Sequence, residues 1–334
     1  MFIDEVNIVN FRNFEKFRLK FDKKNYIIGS NGSGKTTIIE SIYTSFYRKS
    51  FRTPKPSELI RFNCKSFTVK THILKDNLNN NFYYHYSNSN KVHLHNGKRI
   101  KNLYEIATNF PIIIHSPYHE GLTDKLNKNK ISLIDKTIII LDKEYKIKLQ
   151  KFNKLLKHKK ALLEKNNRKL FNTINELIIE LYDNIYTKRL DVINTINKML
   201  KELTPIKNIE FKLIKPDIAK LLNMENSKKK LFLTLHSQKL YISKTNTNIE
   251  NFLSYGQKKE LSIYSIYCLL KVIEENLKDD IILLLDDFET GLDEKKVKTF
   301  YEVFSKNQII ITGVESRYLN NSDINIISIR EQNE

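Results

Sequence analysis

The stretch YIIGSNGSGKTTIIE, residues 26–40, decides the fold of this chain. Its first three residues are apolar and typical of a β-strand, and Ile38, Ile39 and Ile42 follow at helical spacing. Between them, residues 29–36 match the pattern G-x-x-x-x-G-K-[ST]. The stretch therefore predicts a strand, a phosphate-binding loop and a helix, in that order.

The residue types of this loop suit a polyphosphate. Glycines let the backbone approach phosphate oxygens without a Cβ in the way, and the helix N-terminus adds its positive dipole end. Lys35 adds a mobile charge, and the Thr36 hydroxyl can ligate Mg²⁺. A chance Gly/Ser-rich turn is the alternative, and the motif alone leaves the biological role open. The predicted ATP-binding residues are Gly29, Ser30, Asn31, Gly32, Ser33, Gly34, Lys35, Thr36 and Thr37.

Length and composition indicate a globular protein of one large or two ordinary domains, since the chain has 334 residues. No run approaches the ~18 apolar residues of a membrane span, and Asp4 and Glu5 stand where a signal peptide needs basic residues. We therefore expect a cytoplasmic protein with no membrane partner. Cys64 and Cys268 stand alone, which argues against a disulfide framework or a zinc site.

The net charge of +19 and the pI of about 9.5 are typical of proteins that contact polyanions. A second explanation is compositional. The chain is rich in Lys, Asn and Ile and poor in Gly and Pro, a bias that an AT-rich genome produces without selection for binding.

Several short strands are predicted before residue 120. They are a hairpin over residues 2–21 and strands at residues 67–74, 82–86, 92–95 and 111–115. The Asn96-Gly97 pair is a strong hairpin signal. His93 and His95 share one strand face but have no third metal ligand nearby, so we expect exposed hairpin side chains.

Residues 127–203 lack glycine and proline and carry apolar residues at steps of three and four, which predicts antiparallel helices. Thr204-Pro205 is expected to end them, and residues up to 248 are expected to form strands and loops. The polar side of the helices is either an ordinary solvated face or an arm that contacts phosphates. Its basic residues are Lys143, Lys146, Lys148, Lys151, Lys154, Lys157, Lys159, Lys160, Arg168 and Lys169.

A second motif follows the apolar run of residues 281–285, which predicts a fully buried strand ending in Asp286-Asp287. An acidic pair at the carboxyl end of such a strand belongs beside the phosphate loop. We expect Asp286 to hold Mg²⁺ together with Thr36, and Asp287 to polarise the attacking water. An ordinary parallel strand with an Asp-rich turn is the alternative. The predicted catalytic residues are Lys35, Asp286 and Asp287.

A third motif, FLSYGQKKEL at residues 252–261, precedes an amphipathic helix. Ser254, Gly256 and Gln257 would form a second anion site at the N-terminus of that helix. Because one chain rarely needs two sites for one γ-phosphate, we expect a head-to-tail dimer in which Ser254 reaches ATP held by Lys35 of the other copy. Residues 291–293 would lie at the same interface. The alternative role for Ser254 is a structural helix cap.

Together these motifs resemble the RecF family of SMC/ABC-type ATPases, over nearly the whole chain. Lys35 and Asp286 are 251 positions apart (286 minus 35), a spacing that fits a compact helical insertion. The resemblance implies an α/β fold: an ABC/SMC-type ATPase head with mixed β-sheets, formed by residues 1–122 and 235–334, with a mainly helical arm at 123–234. The supporting stretches, in family order, are NFRNFEKFRLKF (10–21), KSFRTPKPSELIRF (49–62), NGK (96–98), IIIHSP (112–117), KALLEKN (160–166), LSYGQKKEL (253–261) and ILLLDDFETGLDEKK (282–296).

The resemblance further implies a slow, DNA-stimulated ATPase that uses ATP and Mg²⁺ and clamps DNA as an ATP-dependent homodimer. Its expected roles are DNA repair, recombination and replication, including the SOS response. Expected partners are duplex DNA or single-strand/duplex junctions and other recombination mediators. Residues 118–120, 127–130, 235–237 and 258–259 depart from the family pattern. The main alternative, the ATPase of a phage-defence nuclease, needs a further carboxylate cluster, and few residues follow Thr312.

Overall fold

The computed structural model describes residues 1–163, 168–204, 206–277, 280–304, 306–314 and 324–329. Pro205, part of the KALLEKN stretch and the side chains of Arg168 and Lys169 lie outside the described residues. In the described ranges, no helix is both long and apolar enough to cross a bilayer. The strands are β1 Phe2–Phe11, β2 Phe14–Lys20, β3 Lys24–Ile28, β4 Ser66–Lys75, β5 Leu78–Ser87, β6 Lys91–His95, β7 Lys98–Arg99, β8 Ile112–His115, β9 Ile209–Ile214, β10 Lys239–Lys244, β11 Thr247–Asn248, β12 Ile282–Leu285, β13 Gln308–Gly313 and β14 Asn325–Ser328. The α-helices are α1 Lys35–Tyr47, α2 Leu103–Asn109, α3 Asn127–Leu141, α4 Lys143–Leu163, α5 Arg168–Leu203, α6 Ile218–Lys228, α7 Tyr255–Leu277 and α8 Glu294–Val303. Short 3-10 helices lie at Pro56–Leu59 and Gly121–Thr123.

The chain divides into two compact units. The first contains Met1–Glu120 and Leu277–Glu334, and the second contains Gly121–Asn276. The first boundary lies within two residues of the predicted one, but the second lies at residue 277 rather than 235. The reason is that β10 pairs with β9 and is also held by Asn127 of α3, whose side chain bonds to Gln238 and Leu240.

In the first unit, an antiparallel sheet has the strand order β2-β1-β4-β5-β6-β7. Val6, Val69 and Tyr84 alternate with outward-facing residues and pack into the core against α1. This alternation is typical of a sheet with one covered face. The predicted hairpin over residues 2–21 and the turn at Asn96-Gly97 are both confirmed.

The histidines of β6 correct one expectation. His93 is buried rather than exposed, and its Nε2 lies 2.6 Å from the carbonyl oxygen of Ser45 in α1. Burial lowers the pKa of His93 to about 4. His95 is half-buried and stacks on Phe82, with ring centroids 4.6 Å apart. The hairpin signal locates this turn correctly, but it does not tell which face the helix covers.

A second sheet in the same unit has the order β14-β3-β13-β12-β8, and each neighbouring pair is parallel. Strands β8, β12 and β13 are buried throughout, as expected for a parallel sheet covered on both faces. Because all strands run the same way, the carboxyl ends of β3, β12 and β13 meet at one edge. This edge positions the candidate site.

The second unit contains helices α3 to α7 and a small sheet of order β11-β10-β9. Helices α4 and α5 are antiparallel as predicted. Asp142, just before α4, pairs with Lys188 of α5, and Phe152, further along α4, contacts Tyr182, which comes earlier in α5. The two helices therefore run in opposite directions. Helix α6 lies where strands and loops were expected, and it is capped by Asp217, whose carboxylate accepts from the backbone N–H of Lys220.

Two buried ion pairs hold this unit together. Lys159, predicted on the basic solvent face, is fully buried and paired with the buried carboxylate of Glu225. Arg189 is also fully buried, and its guanidinium donates to both carboxylate oxygens of Asp135 at 2.7 and 2.8 Å. It also donates to the Leu235 carbonyl at 2.8 Å. These bonds tie α5 to α3 and to the segment that precedes β10.

We predict that Arg189→Met destabilises the protein by about 3–5 kcal/mol, because it leaves the Asp135 carboxylate buried without its partner. Urea unfolding followed by far-UV circular dichroism measures this, since the chain has no Trp. Adding Asp135→Asn should recover part of the loss. The matched control is Lys188→Met on the same helix, whose half-exposed pair with Asp142 should contribute under about 1 kcal/mol. Equal effects of the two single changes would contradict the prediction.

Candidate nucleotide-binding site

The phosphate loop connects β3, which ends at Ile28, to α1, which begins at Lys35. Gly32 and Gly34 have φ values of 92° and 101°, in the left-handed region that favours glycine. A Cβ on Gly34 would also lie 2.6 Å from the ring of Phe14. The turn that opens the helix N-terminus therefore depends on glycine at position 34.

Lys35 lies inside this loop. Its ammonium donates to the carbonyl oxygens of Gly29 at 2.6 Å and of Ser30 at 2.7 Å. Burial lowers the pKa of Lys35, and the nearby carboxylates of Asp287 and Asp286 oppose that shift. The charge of Lys35 thus stands between the loop and the predicted acidic pair.

Asp286 is 1% exposed and follows the last residue of β12. Its Oδ1 accepts hydrogen bonds of 2.8 Å from the hydroxyls of Thr36 and Thr312. Burial raises the pKa of Asp286, and these two hydrogen bonds oppose that shift. Strand β13 lies between β3 and β12, so Thr312 at its end bridges the two motifs. Sequence reasoning missed Thr312, although a hydroxyl directly after the buried run 309–311 is a usable signal.

Asp287 has a φ of 52°, which is unusual for a residue other than glycine. Its backbone N–H donates to the Thr312 hydroxyl at 3.0 Å, and its carboxylate accepts from the Thr290 hydroxyl at 2.5 Å. The chain therefore turns sharply as β12 ends. Residues held in this region cluster at functional sites.

A cavity of about 350 Å³ opens between the phosphate loop and the ends of β12 and β13. Arg52 and Tyr118 line it together with the acidic pair, and the Arg52 guanidinium lies 5.4 Å from the ring centroid of Tyr118. Arg52 also pairs at 3.3 Å with Glu40 of α1, a fully buried carboxylate that Arg12 holds through two further bonds. The sequence analysis missed the cluster of Glu40, Arg12 and Arg52. A glutamate at position 40, among the apolar positions of α1, is the feature of the sequence that could have revealed it.

The residues of the third motif lie in the second unit, at the N-terminus of α7. The Ser254 hydroxyl accepts from the backbone N–H of Gln257 at 3.2 Å, and the Gln257 side chain accepts from the backbone N–H of Ser254 at 2.9 Å. This reciprocal pair is a capping box. Ser254 is therefore a helix cap, and its side chain remains exposed. Its contact, and that of Gly256, with a phosphate of another copy stays a prediction.

The donor set at the first site fits a magnesium-bound triphosphate. Thr36 and Asp286 present oxygen atoms, the ligand type that Mg²⁺ requires. The Ser33 hydroxyl in the loop is buried and has no hydrogen-bond partner among the described residues. Apart from the chain neighbours of Gly32, none of the described residues has an atom within 4 Å of the position of a Cβ there, so the backbone is open to a ligand. The phosphate loop and the acidic pair after β12, whose Thr36 and Asp286 are 250 residues apart in sequence, thus form one site that suits an anion and a bound cation.

Proteins from two Clostridium species are similar to this chain in sequence. A protein from Clostridium kluyveri named DNA replication and repair protein RecF is 29% identical over 341 residues, covering 93% of this chain and 92% of that protein. A protein of the same name from Clostridium novyi is 29% identical over 342 residues, covering 94% of this chain and 93% of that protein. The resemblance predicted from the sequence motifs is confirmed.

Solved structures give the same result for the fold. A structure of the recombination mediator protein RecF with ATP, described as part of the RecFOR pathway, superposes with a TM-score of 0.82. It is 24% identical and covers 99% of this chain and 96% of that chain. The fold is therefore the predicted ATPase head with mixed sheets and helices. The family model of the RecF/RecN/SMC N-terminal domain matches residues 2–334, and the chain belongs to this family.

Proposed function

We propose that the chain is a RecF-type, ATP-dependent DNA-binding protein whose two copies close on ATP and hold DNA during repair, recombination and replication. The hydrogen bond between Thr36 and Asp286 carries the proposal. It joins the phosphate loop to the acidic strand end, as an ATPase requires. The bonding of Lys35 within the loop and the names of the relatives support it.

Each residue of the first site has a role in this proposal. The backbone N–H groups of residues 29–37 and the ammonium of Lys35 bind the phosphates of ATP. Thr36 and Asp286 hold Mg²⁺, which when bound neutralises charge on the phosphate oxygens. Asp287 orients and polarises the attacking water from its fixed position after β12.

Dimerisation is the second part of the proposal. Each ATP lies between the phosphate loop of one copy and Ser254, Gly256 and Gln257 of another. The exposure of Ser254 at a capped helix N-terminus supports this role, because such an end carries partial positive charge. ATP then contributes binding energy between the copies, and hydrolysis releases it.

DNA is the proposed polyanion partner, either as duplex or at single-strand/duplex junctions, and other recombination mediators are proposed protein partners. The charge of +19 supports DNA binding, and the relatives' names support the mediator role. We further propose slow, DNA-stimulated hydrolysis and a cytoplasmic location. A copy engaged with DNA keeps its partner close, so DNA and ATP favour the same closed state.

We predict that Lys35→Ala weakens ATP binding at least tenfold, because it removes the mobile charge of the loop. The measurement is a titration with a fluorescent ATP analogue in the presence of Mg²⁺. Lys298→Ala on α8, which pairs with Glu294 at the surface, is the matched control and should leave the affinity unchanged. Asp286→Asn should remove the difference between titrations with Mg²⁺ and with EDTA. Persistence of that difference in Asp286→Asn would show that Mg²⁺ is held elsewhere.

We predict that Asp287→Asn with ATP and Mg²⁺ forms stable dimers in light scattering, because nucleotide binds but is not hydrolysed. Adding Ser254→Asp should abolish these dimers. Asp keeps the helix cap but places a negative charge against the partner's ATP. ATP binding through Lys35 should be unaffected. Dimers that persist with Ser254→Asp would contradict the composite site, and loss of ATP binding as well would mean that Ser254 is purely structural.

A further inference from the structure

The antiparallel sheet of the first unit has an outward side that the core does not use. On β1, β4 and β5 the inward residues are buried, and the strand registers place Asn7, Lys70 and Tyr83 side by side on the opposite face. The same registers add Arg18 at one end of this row and Arg99 at the other. The exposed basic residues of this side, called here the basic sheet face, are Lys16, Arg18, Lys20, Lys70 and Arg99.

Acidic groups do little to cancel this charge. Of the residues that the registers place on this side, the acidic one is Glu5, which is buried and paired with Arg18 at 2.6 Å. Glu15 lies outside the registers and pairs with Arg61 at 3.6 Å, and Asp4 occupies the bulge near the start of β1. The face therefore keeps a net positive charge that is open to solvent.

The sheet arranges these charges in two directions. Lys16, Arg18 and Lys20 alternate along β2, so neighbours are about 6.7 Å apart, comparable with successive phosphates on one nucleic-acid strand. Across the sheet, Lys70 lies two strands from β2 and Arg99 five strands away, or about 10 and 24 Å. A two-dimensional array of this width can reach both backbones across the grooves of a duplex, which are about 6 and 12 Å wide.

Single-stranded nucleic acid fits this face less well. Proteins that bind single strands offer aromatic rings on which successive bases stack. The registers place two Phe or Tyr residues on this side, Phe2 opposite Leu74 and Tyr83 opposite Lys70, which are four positions apart along β4. The ammonium of Lys70 lies 5.8 Å from the ring centroid of Tyr83. Most contacts that this face can offer are therefore between basic side chains and phosphates rather than between aromatic rings and bases. Such contacts suit a duplex, whose bases are already stacked and whose phosphates lie on the outside.

We propose that the basic sheet face binds the backbone of duplex DNA and is the main DNA contact of the first unit. This inference rests on the proposed function and adds the surface that performs it. The competing surface is the lysine stripe of α4, which lies in the other unit. The lysines of α4 lie on one helix, which also exposes Ile147, and one of them, Lys159, is buried in an ion pair. A helix with its side chains is about 10–12 Å wide, less than half the width of the basic sheet face.

The test compares two triple variants that remove the same charge. Lys16→Gln/Lys20→Gln/Lys70→Gln alters the basic sheet face and spares Arg18, which neutralises Glu5. Lys151→Gln/Lys154→Gln/Lys157→Gln alters exposed lysines of α4. Binding of a short labelled duplex, and of the same labelled single strand, is measured by fluorescence anisotropy with a non-hydrolysable ATP analogue over a series of salt concentrations. Thermal melting and ATP titration confirm that both variants are folded.

The sheet variant should bind duplex at least tenfold more weakly, and its slope of log affinity against log salt should fall by about 2.7, or 0.9 for each lost phosphate contact. The α4 variant should stay within threefold of the unaltered protein. Lys16→Arg/Lys20→Arg/Lys70→Arg should restore binding. Equal losses in the two variants, a larger loss in the α4 variant, or a loss confined to single-stranded DNA would overturn the inference. If the unaltered protein bound no DNA, the proposed function itself would fail.

Discussion

The carboxylate of Asp286 accepts hydrogen bonds from two threonine hydroxyls, and the arrangement of the first unit depends on that junction. A carboxylate this deeply buried needs donors and positive charge around it. Thr36 supplies one donor from the start of α1, and Thr312 supplies the other from the end of β13. The nearby ammonium of Lys35 favours the ionised form. The side chain of Asp286 thereby fixes the positions of the phosphate loop, β12 and β13 relative to one another.

Much of this site could be predicted from the sequence because its chemistry is local. A phosphate loop needs glycine, lysine and threonine within eight residues, and a buried parallel strand reads as a run such as 281–285. What could not be predicted depends on packing between distant segments. To predict the burial of His93, one must know that α1 covers that face of the sheet. To predict the pairing of Glu40 with Arg52, one must know that the segment after α1 folds back against that helix. The second domain boundary, predicted at residue 235 and found at residue 277, was missed for the same reason.

The two alternatives for Ser254 are compatible. Its hydroxyl caps α7, yet its side chain is exposed and lies at the positive end of a helix of 23 residues. A capped end is a rigid end, which lowers the entropy lost when a phosphate binds. In the proposed dimer, ATP bound at the phosphate loop of one copy also contacts Ser254 of the other copy, and the proposal is that this contact closes the dimer on DNA.

The most direct measurement mixes two variants that are each inactive alone. Lys35→Ala destroys the phosphate loop and keeps Ser254, whereas Ser254→Asp keeps the loop and repels the partner's ATP. Because neither variant closes on ATP by itself, the dimers that form in an equal mixture contain one copy of each variant, and one of their two composite sites is intact. Two-fold pairing therefore predicts recovery of up to about half of the DNA-stimulated ATP hydrolysis of the unaltered protein. A mixture no more active than the sum of its parts would contradict the account.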